Sequence, residues 1–472
     1  MSKLKGSKKS SQLPESEDDY LAAGVKEEEG GEKWRAGDSV KSSRFFARAL
    51  NIYDAGLKKH PASFDLAYNK ARLQYDISQQ PRLVAHQSLP LIELLFTALQ
   101  SHRYALTLEP EDTDVLFNTA QVMVSISETL ADTSIPVGTH DREHTVPLLQ
   151  ESINLFQNCF NLQNRQYAEV EAAIEAQVSL SSRNTSTPPS QALPESLPEP
   201  ETEESWASVK ESVTSSTLLD TLLAEIHAWT LLLPLLSWNL SLLQEIAPKA
   251  QDVLDRASPM VREAAEQQSY EQGYSNLKAA LADAAYKSGG MTAADYATTL
   301  DNIWTSCATL TSFGPALCDH ADALVTLNTS LSSNMSPDSA SIRWKGLSLA
   351  LRLLATADKN PGPAERSIIN ARRGDVELLR TRLGDPPIIY DQAAKSRTLL
   401  IKNAETYYEG ARKLVAIGDD IVLADNITAK CVITKALREG NMDAVLTNLS
   451  TSDQSKIQSF IADMVEEGLL PP

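Results

Sequence analysis

With 472 residues, 42% of them hydrophobic but only 6% aromatic, the chain has ample material for an extended core, and it carries a formal charge of −19 from 62 acidic and 43 basic side chains. That composition excludes disorder throughout; few aromatics, 19 glycines and no Asn-Gly or Asp-Gly hairpin turn favour helices over a sandwich or barrel. The acidity excludes a nucleic-acid binder, which must cluster Lys and Arg against phosphate. Residues 1–31 mix Lys and Ser with the runs Glu15 to Asp19 and Glu27 to Glu29, too poor in apolar groups to fold, which predicts a disordered tail. The chain starts without an apolar signal core, and Cys159, Cys307, Cys318 and Cys431 make no close pair, so free thiols and a cytoplasmic and/or nuclear setting are expected.

Order is expected from Trp34 onward. Phe46, Ala49, Leu50, Tyr53 and Leu57 recur at helical spacing until Pro61; a second helix runs from Phe64 through Leu66, Leu73 and Tyr75, bounded by Pro81. Gly37, Ala49, Tyr53 and Pro61 stand at the spacing of one helix-turn-helix repeat. Ala71, 34 residues after Gly37, continues the register with Ala98, His102 and Pro110, and Ala120 heads a third unit closed by Ser152, Phe156 and Cys159. On these residues, 32–181 resembles divergent tetratricopeptide repeats with inserts at about 79–92 and 133–146, similar to a group of fungal proteins of that type. The resemblance implies an all-α solenoid: small residues let paired helices approach, an aromatic fills the gap between units, and a concave groove takes a segment of another protein.

A further helix is expected over 166–181, and then an acidic Pro/Ser-rich linker over 182–205. Residues 206–472 read as a helical repeat region closed by a capping helix over 454–468. Within it, the apolar stretch 228–243 contains Pro234 and predicts two buried helices meeting at the proline rather than a membrane span.

No catalytic centre, cofactor motif or metal set stands out: Gly-rich phosphate loops and nucleophile elbows are missing, His140 and His144 sit four apart without the metalloprotease order, and Cys318-Asp319-His320 is a bare triplet. Two binding surfaces do suggest themselves. Arg343, Lys345, Arg372, Arg373, Arg380 and Arg382 form a candidate basic patch able to receive an acidic tail, unless they are paired internally. Chaperone-type tetratricopeptide domains hold a carboxylate tail with two Lys, two Asn and one Arg; aligned through the repeats, those places are Trp34, Asp38, Asn69, Asp114 and Asn118. Only Asn69 matches, so a heat-shock chaperone tail is a poor fit, while Asp38, Asn69, Asp114 and Asn118 mark a candidate groove suited to a neutral or basic segment. The expected function is therefore a non-enzymatic protein-binding adaptor or assembly factor without cofactor, nucleic acid or membrane. Its alternatives are an acidic escort of a basic client and, in another class, a helical enzyme with an unrecognised site.

Overall fold

A computed structural model describes residues 14–131, 144–183, 212–236, 240–334, 336–359, 363–415, 421–441 and 451–471. The described residues form seventeen α-helices and two short 3₁₀ turns, without a strand. In chain order they are α1 (Glu17–Arg35), α2 (Ser39–Lys59), α3 (Phe64–Ser78), α4 (Pro81–Val84), α5 (Leu91–Leu108), α6 (Thr113–Ala131), α7 (Thr145–Arg183), α8 (Ser215–Leu236) and α9 (Leu240–Ala257). They continue as α10 (Ala264–Lys287), α11 (Ala293–Ser306), α12 (Gly314–Ser330), α13 (Pro337–Ala357), α14 (Pro363–Arg382), α15 (Asp391–Val415), α16 (Ile421–Glu439) and α17 (Thr451–Glu466).

Successive helices pair as hairpins, α1 with α2, α3 with α5, α6 with α7, α8 with α10, α12 with α13 and α14 with α15, and packing runs between near neighbours in the chain. Several cores therefore follow one another instead of a single centre, among them α1 to α4, α6 to α10, and α10 to the C-terminus. This is the signature of a helical-repeat stack, in which each unit buries its apolar face on the next.

The tail expected over 1–31 is a helix from Glu17 onward; residues 1–13 lie outside the described residues. Ser16 caps it, its hydroxyl accepting from the Asp19 amide at 3.1 Å while the Asp19 carboxylate accepts from the Ser16 amide at 3.0 Å. Its buried residues are Tyr20, Gly24, Glu28 and Gly31. That stripe has helical spacing but little apolar area, because the helix gains stability from close approach. A Cβ on Gly24 would fall under 3 Å from the Tyr53 ring of α2, and one on Gly31 equally close to Phe46. Gly24 is thus the small residue of the first hairpin. Gly37, expected in that role, lies in the α1–α2 connection with open space around it.

In the second and third hairpins the expected small residues are in place: Ala71 and Ala120 are fully buried on α3 and α6. The first insert position holds α4 and the turns around it, whereas 133–143 of the second lie outside the described residues. The two helices expected over 152–164 and 166–181 are one continuous α7. Residues 184–205 of the expected linker are outside the described residues. Pro234 stands inside α8, in its last turn, rather than at a junction of two helices. By length and composition α8 is apolar enough to span a membrane, but more than half of that window is buried within the protein. It also carries Glu225, fully buried and bonded by Arg256 at 3.0 Å and Gln157 at 2.8 Å. At the C-terminus, Met464, Leu469 and Leu470 are buried against the preceding helices, so α17 and its hook cover the last core.

Candidate partner-binding face

The first helix of each of the first three hairpins, α1, α3 and α6, lies beside the next, and α8 extends the row. Side chains cross-link the row laterally. Asn118 on α6 donates to the Tyr68 hydroxyl on α3 at 2.7 Å, and Tyr75 meets Ser125 of α6 at 2.9 Å. Arg72 on α3 reaches Glu28 of α1 at 2.5 Å and Asp76 at 3.1 Å; farther along, His227 of α8 meets Glu128 of α6 at 2.7 Å. Phe64 and Tyr68 stack with ring centroids 5.7 Å apart, half-buried on the same face.

Helix starts set the charge of this face. Ser63 caps α3, and its hydroxyl donates to Glu17 of α1 at 2.5 Å; Asp112 accepts from the first amides of α6 at 3.0 and 3.1 Å. Carboxylates favour such positions because the helix amides point at them, so Glu17, Asp18, Asp65, Asp112 and Asp114 collect at one end of the row. Burial raises the Asp65 carboxyl above its ordinary range, and Glu17, Asp18, Asp112 and Glu109 push it the same way. The Tyr68 phenol is pushed up to about 12, by burial first and then by Asp114.

Of the four groove residues expected from sequence, the structure brings Asn69, Asp114 and Asn118 onto this face. Asn69 is held by the Asp65 carbonyl at 2.8 Å. Asp38 is elsewhere: it caps α2, accepting from the Lys41 amide at 2.9 Å, because the register of the first hairpin belongs to Gly24. Glu28, Asp65, Tyr68 and Arg72 were missed as face residues. The period from Tyr20 through Gly24 and Glu28 to Gly31 is the signal that places Glu28.

The candidate basic patch is not an open cationic surface. Arg343 is buried and donates to Asn328 at 2.9 Å, and burial, with Arg382 nearby, pulls its pKa down to about 10. Arg372 pairs with Asp322 at 3.1 Å, Arg380 pairs with Glu377 at 2.8 Å and lies over the Trp344 ring, and Arg382 pairs with Asp385. Arg373 bonds the Tyr407 hydroxyl at 3.0 Å and faces Asp358. Lys345 alone of the six is exposed. The triplet Cys318-Asp319-His320 also disperses: Asp319 accepts from Gln272 and Asn276, whereas His320 is buried and stacks on Trp304 at 5.0 Å. His140 lies outside the described residues.

No family model matches the chain. Over 159 residues it is 29% identical to the UPF0656 protein C926.02 of Schizosaccharomyces pombe, covering 34% of this chain and 33% of that protein. The chain resembles a fungal UPF0656 protein. It matches about a third of that relative's length. Among solved structures, a circular tandem repeat protein with novel repeat topology and enhanced subunit contact surfaces aligns over 96% of this chain and 98% of its own, at 11% identity and a TM-score of 0.26.

Proposed function

We propose that the protein is a non-enzymatic, tetratricopeptide-like adaptor or assembly factor that holds a segment of a partner protein along α1, α3 and α6. The observation carrying this reading is the row itself. Adjacent helices present half-buried aromatic and amide groups in register, flanked by carboxylates, which supplies stacking surface and directional bonds to an extended chain. The acids clustered around Asp65 favour a basic segment over a neutral one, because a cation there offsets the repulsion from Glu17, Asp18, Asp112 and Glu109 that adds to burial in raising the Asp65 carboxyl. That supports the narrower reading of an acidic escort for a basic client. Cytoplasmic or nuclear action belongs to the same proposal.

Fluorescence anisotropy with the full chain tests it, using labelled Lys/Arg-rich and Asp/Glu-rich peptides of about twenty residues. Only the basic peptide should bind, with affinity falling as salt rises, and Asp65→Lys combined with Asp114→Lys should weaken it by about tenfold or more. The thermal midpoint of the double variant controls for folding. Equal binding of both peptides, or binding indifferent to the two changes, overturns the assignment of this face.

A further inference from the structure

A cavity of about 550 Å³ lies between the start of α12, the end of α13 and the first turns of α14, elements that take no part in the α1–α3–α6 row. Its volume falls within the range of small-ligand sites. Pro315, Ile368 and Ile369 give it an apolar wall, and Ile368 is left 40% exposed although it is a large apolar side chain. Lys359 and Arg372 line the same space. Lys359 is exposed and has no ion-pair partner among the described residues. Arg372 gives one guanidinium nitrogen to Asp322 at 3.1 Å, which leaves it further N–H donors. Glu365 is the one acid among the lining residues, against two cations.

These groups sort ligands by chemistry. A bare anion leaves the isoleucine wall uncovered, and an apolar cation meets Lys359 and Arg372 with like charge. We propose that the cavity is a binding site for a small amphiphilic anion, with a carboxylate or phosphate head directed to Lys359 and Arg372 and a short apolar body against Ile368 and Ile369.

Cys318 provides the readout, because it lines the cavity and is half-buried, while Cys159, Cys307 and Cys431 are buried. Alkylation of Cys318 by iodoacetamide is followed by mass spectrometry on the full chain with octanoate, octyl phosphate or octylamine added. Octanoate or octyl phosphate should slow the labelling about fivefold or more at saturation, octylamine should not, and the anion protecting at lower concentration identifies the head group. Lys359→Glu, a change at an exposed position, should abolish the protection. Arg372→Gln should do the same, with its thermal midpoint reporting whether loss of the Asp322 pair has disturbed the fold. Protection by octylamine equal to that by the anions, protection that survives Lys359→Glu, or none with either anion would each overturn the proposal.

Discussion

The two ends of the molecule solve one packing problem with the same parts in opposite order of burial. Near the N-terminus, Gly24 of α1 admits the Tyr53 ring of α2; near the C-terminus, Gly374 of α14 admits the Tyr408 ring of α15. Each phenol donates to a carboxylate on the glycine-bearing helix, Tyr53 to Glu28 at 2.5 Å and Tyr408 to Asp375 at 2.6 Å. Each carboxylate then takes a cation from a later helix, Arg72 of α3 at 2.5 Å and Lys430 of α16 at 2.8 Å. At the N-terminal joint the acid is the buried partner, with side-chain exposures of 10% for Glu28 and 37% for Arg72. At the C-terminal joint the cation is buried, at 9% for Lys430 and 26% for Asp375, and Glu467 beyond α17 adds a second carboxylate 3.6 Å away. The first joint therefore opens onto the candidate partner-binding face, and the second is closed by the C-terminal helix and its hook.

That contrast can be broken most forcefully by stranding the buried charge at each joint. Arg72→Met leaves Glu28 buried without a cation and should cost about 3–5 kcal/mol in urea unfolding, while Asp375→Ala unpairs the Tyr408 hydroxyl, leaves Lys430 with Glu467 alone and should cost about 2–3 kcal/mol. Removing the buried member instead, by Glu28→Gln or Lys430→Met, should cost about 1 kcal/mol, since the group left behind is partly solvated. The reverse order at either end would show that burial does not distinguish the joints.

The second hairpin sharpens the comparison by lacking the phenol. His102 of α5 takes the place of the tyrosine, fully buried, with no well-formed hydrogen bond to either ring nitrogen among the described residues and the rings of Tyr68 and Tyr75 edge-on at 6.4 Å. Burial pulls its pKa down to about 4, against a smaller opposing pull from the Ala71 backbone. Above pH 6.5 the ring is neutral in both folded and unfolded chains, so the folded state keeps its full stability there. As pH falls from 6.5 to about 4, the unfolded chain takes up a proton that the folded chain refuses, and of the order of 3 kcal/mol is lost. His102→Phe should remove that share of the acid sensitivity and leave stability at neutral pH equal or higher. An unchanged slope of stability against pH would show that the ring is not buried neutral.

Gly24→Ala and Gly374→Ala come next, each expected to cost about 1–3 kcal/mol because the added methyl meets a ring rather than a flexible chain end. Shrinking the ring in the same molecule, Tyr53→Leu or Tyr408→Leu, should offset part of that cost. A double-mutant cycle reads the coupling, and strict additivity would deny the close approach.

Much of α3, α6 and the helices from α12 onward is legible in the sequence, because their buried faces are apolar at helical spacing and Pro, Ser or Gly bounds them. Ala71, Ala120, Asn69, Asp114 and Asn118 follow from that register. α1 escapes because its contact stripe holds one aromatic, Tyr20, with two glycines and a charge satisfied from α3, so hydrophobic periodicity sees only an acidic tail. Clustering of arginines in sequence misleads for a related reason: Asp322, Asp358, Asp385 and Tyr407, which engage them, come from other turns and helices. The unity of α7 is hidden because the polar run around Asn164 and Gln166 carries no apolar period to bridge the two expected helices.

The smallest expected effect separates a cap from a face residue. Asp38 and Asp114 are both exposed acids near helix starts, and sequence spacing gave them the same role. Asp38 satisfies the Lys41 amide at the start of α2, so Asp38→Ala should lower stability by about 1 kcal/mol, while Asp38→Ser, which keeps an acceptor, should restore most of it. Neither change alters the row of α1, α3 and α6, so affinity for the basic peptide should stay within about twofold of wild type. Should Asp38→Ala weaken peptide binding as strongly as the change at Asp114 while leaving the thermal midpoint unmoved, the binding face must extend around the α1–α2 connection, and the open joint at Glu28 would mark its middle rather than its edge.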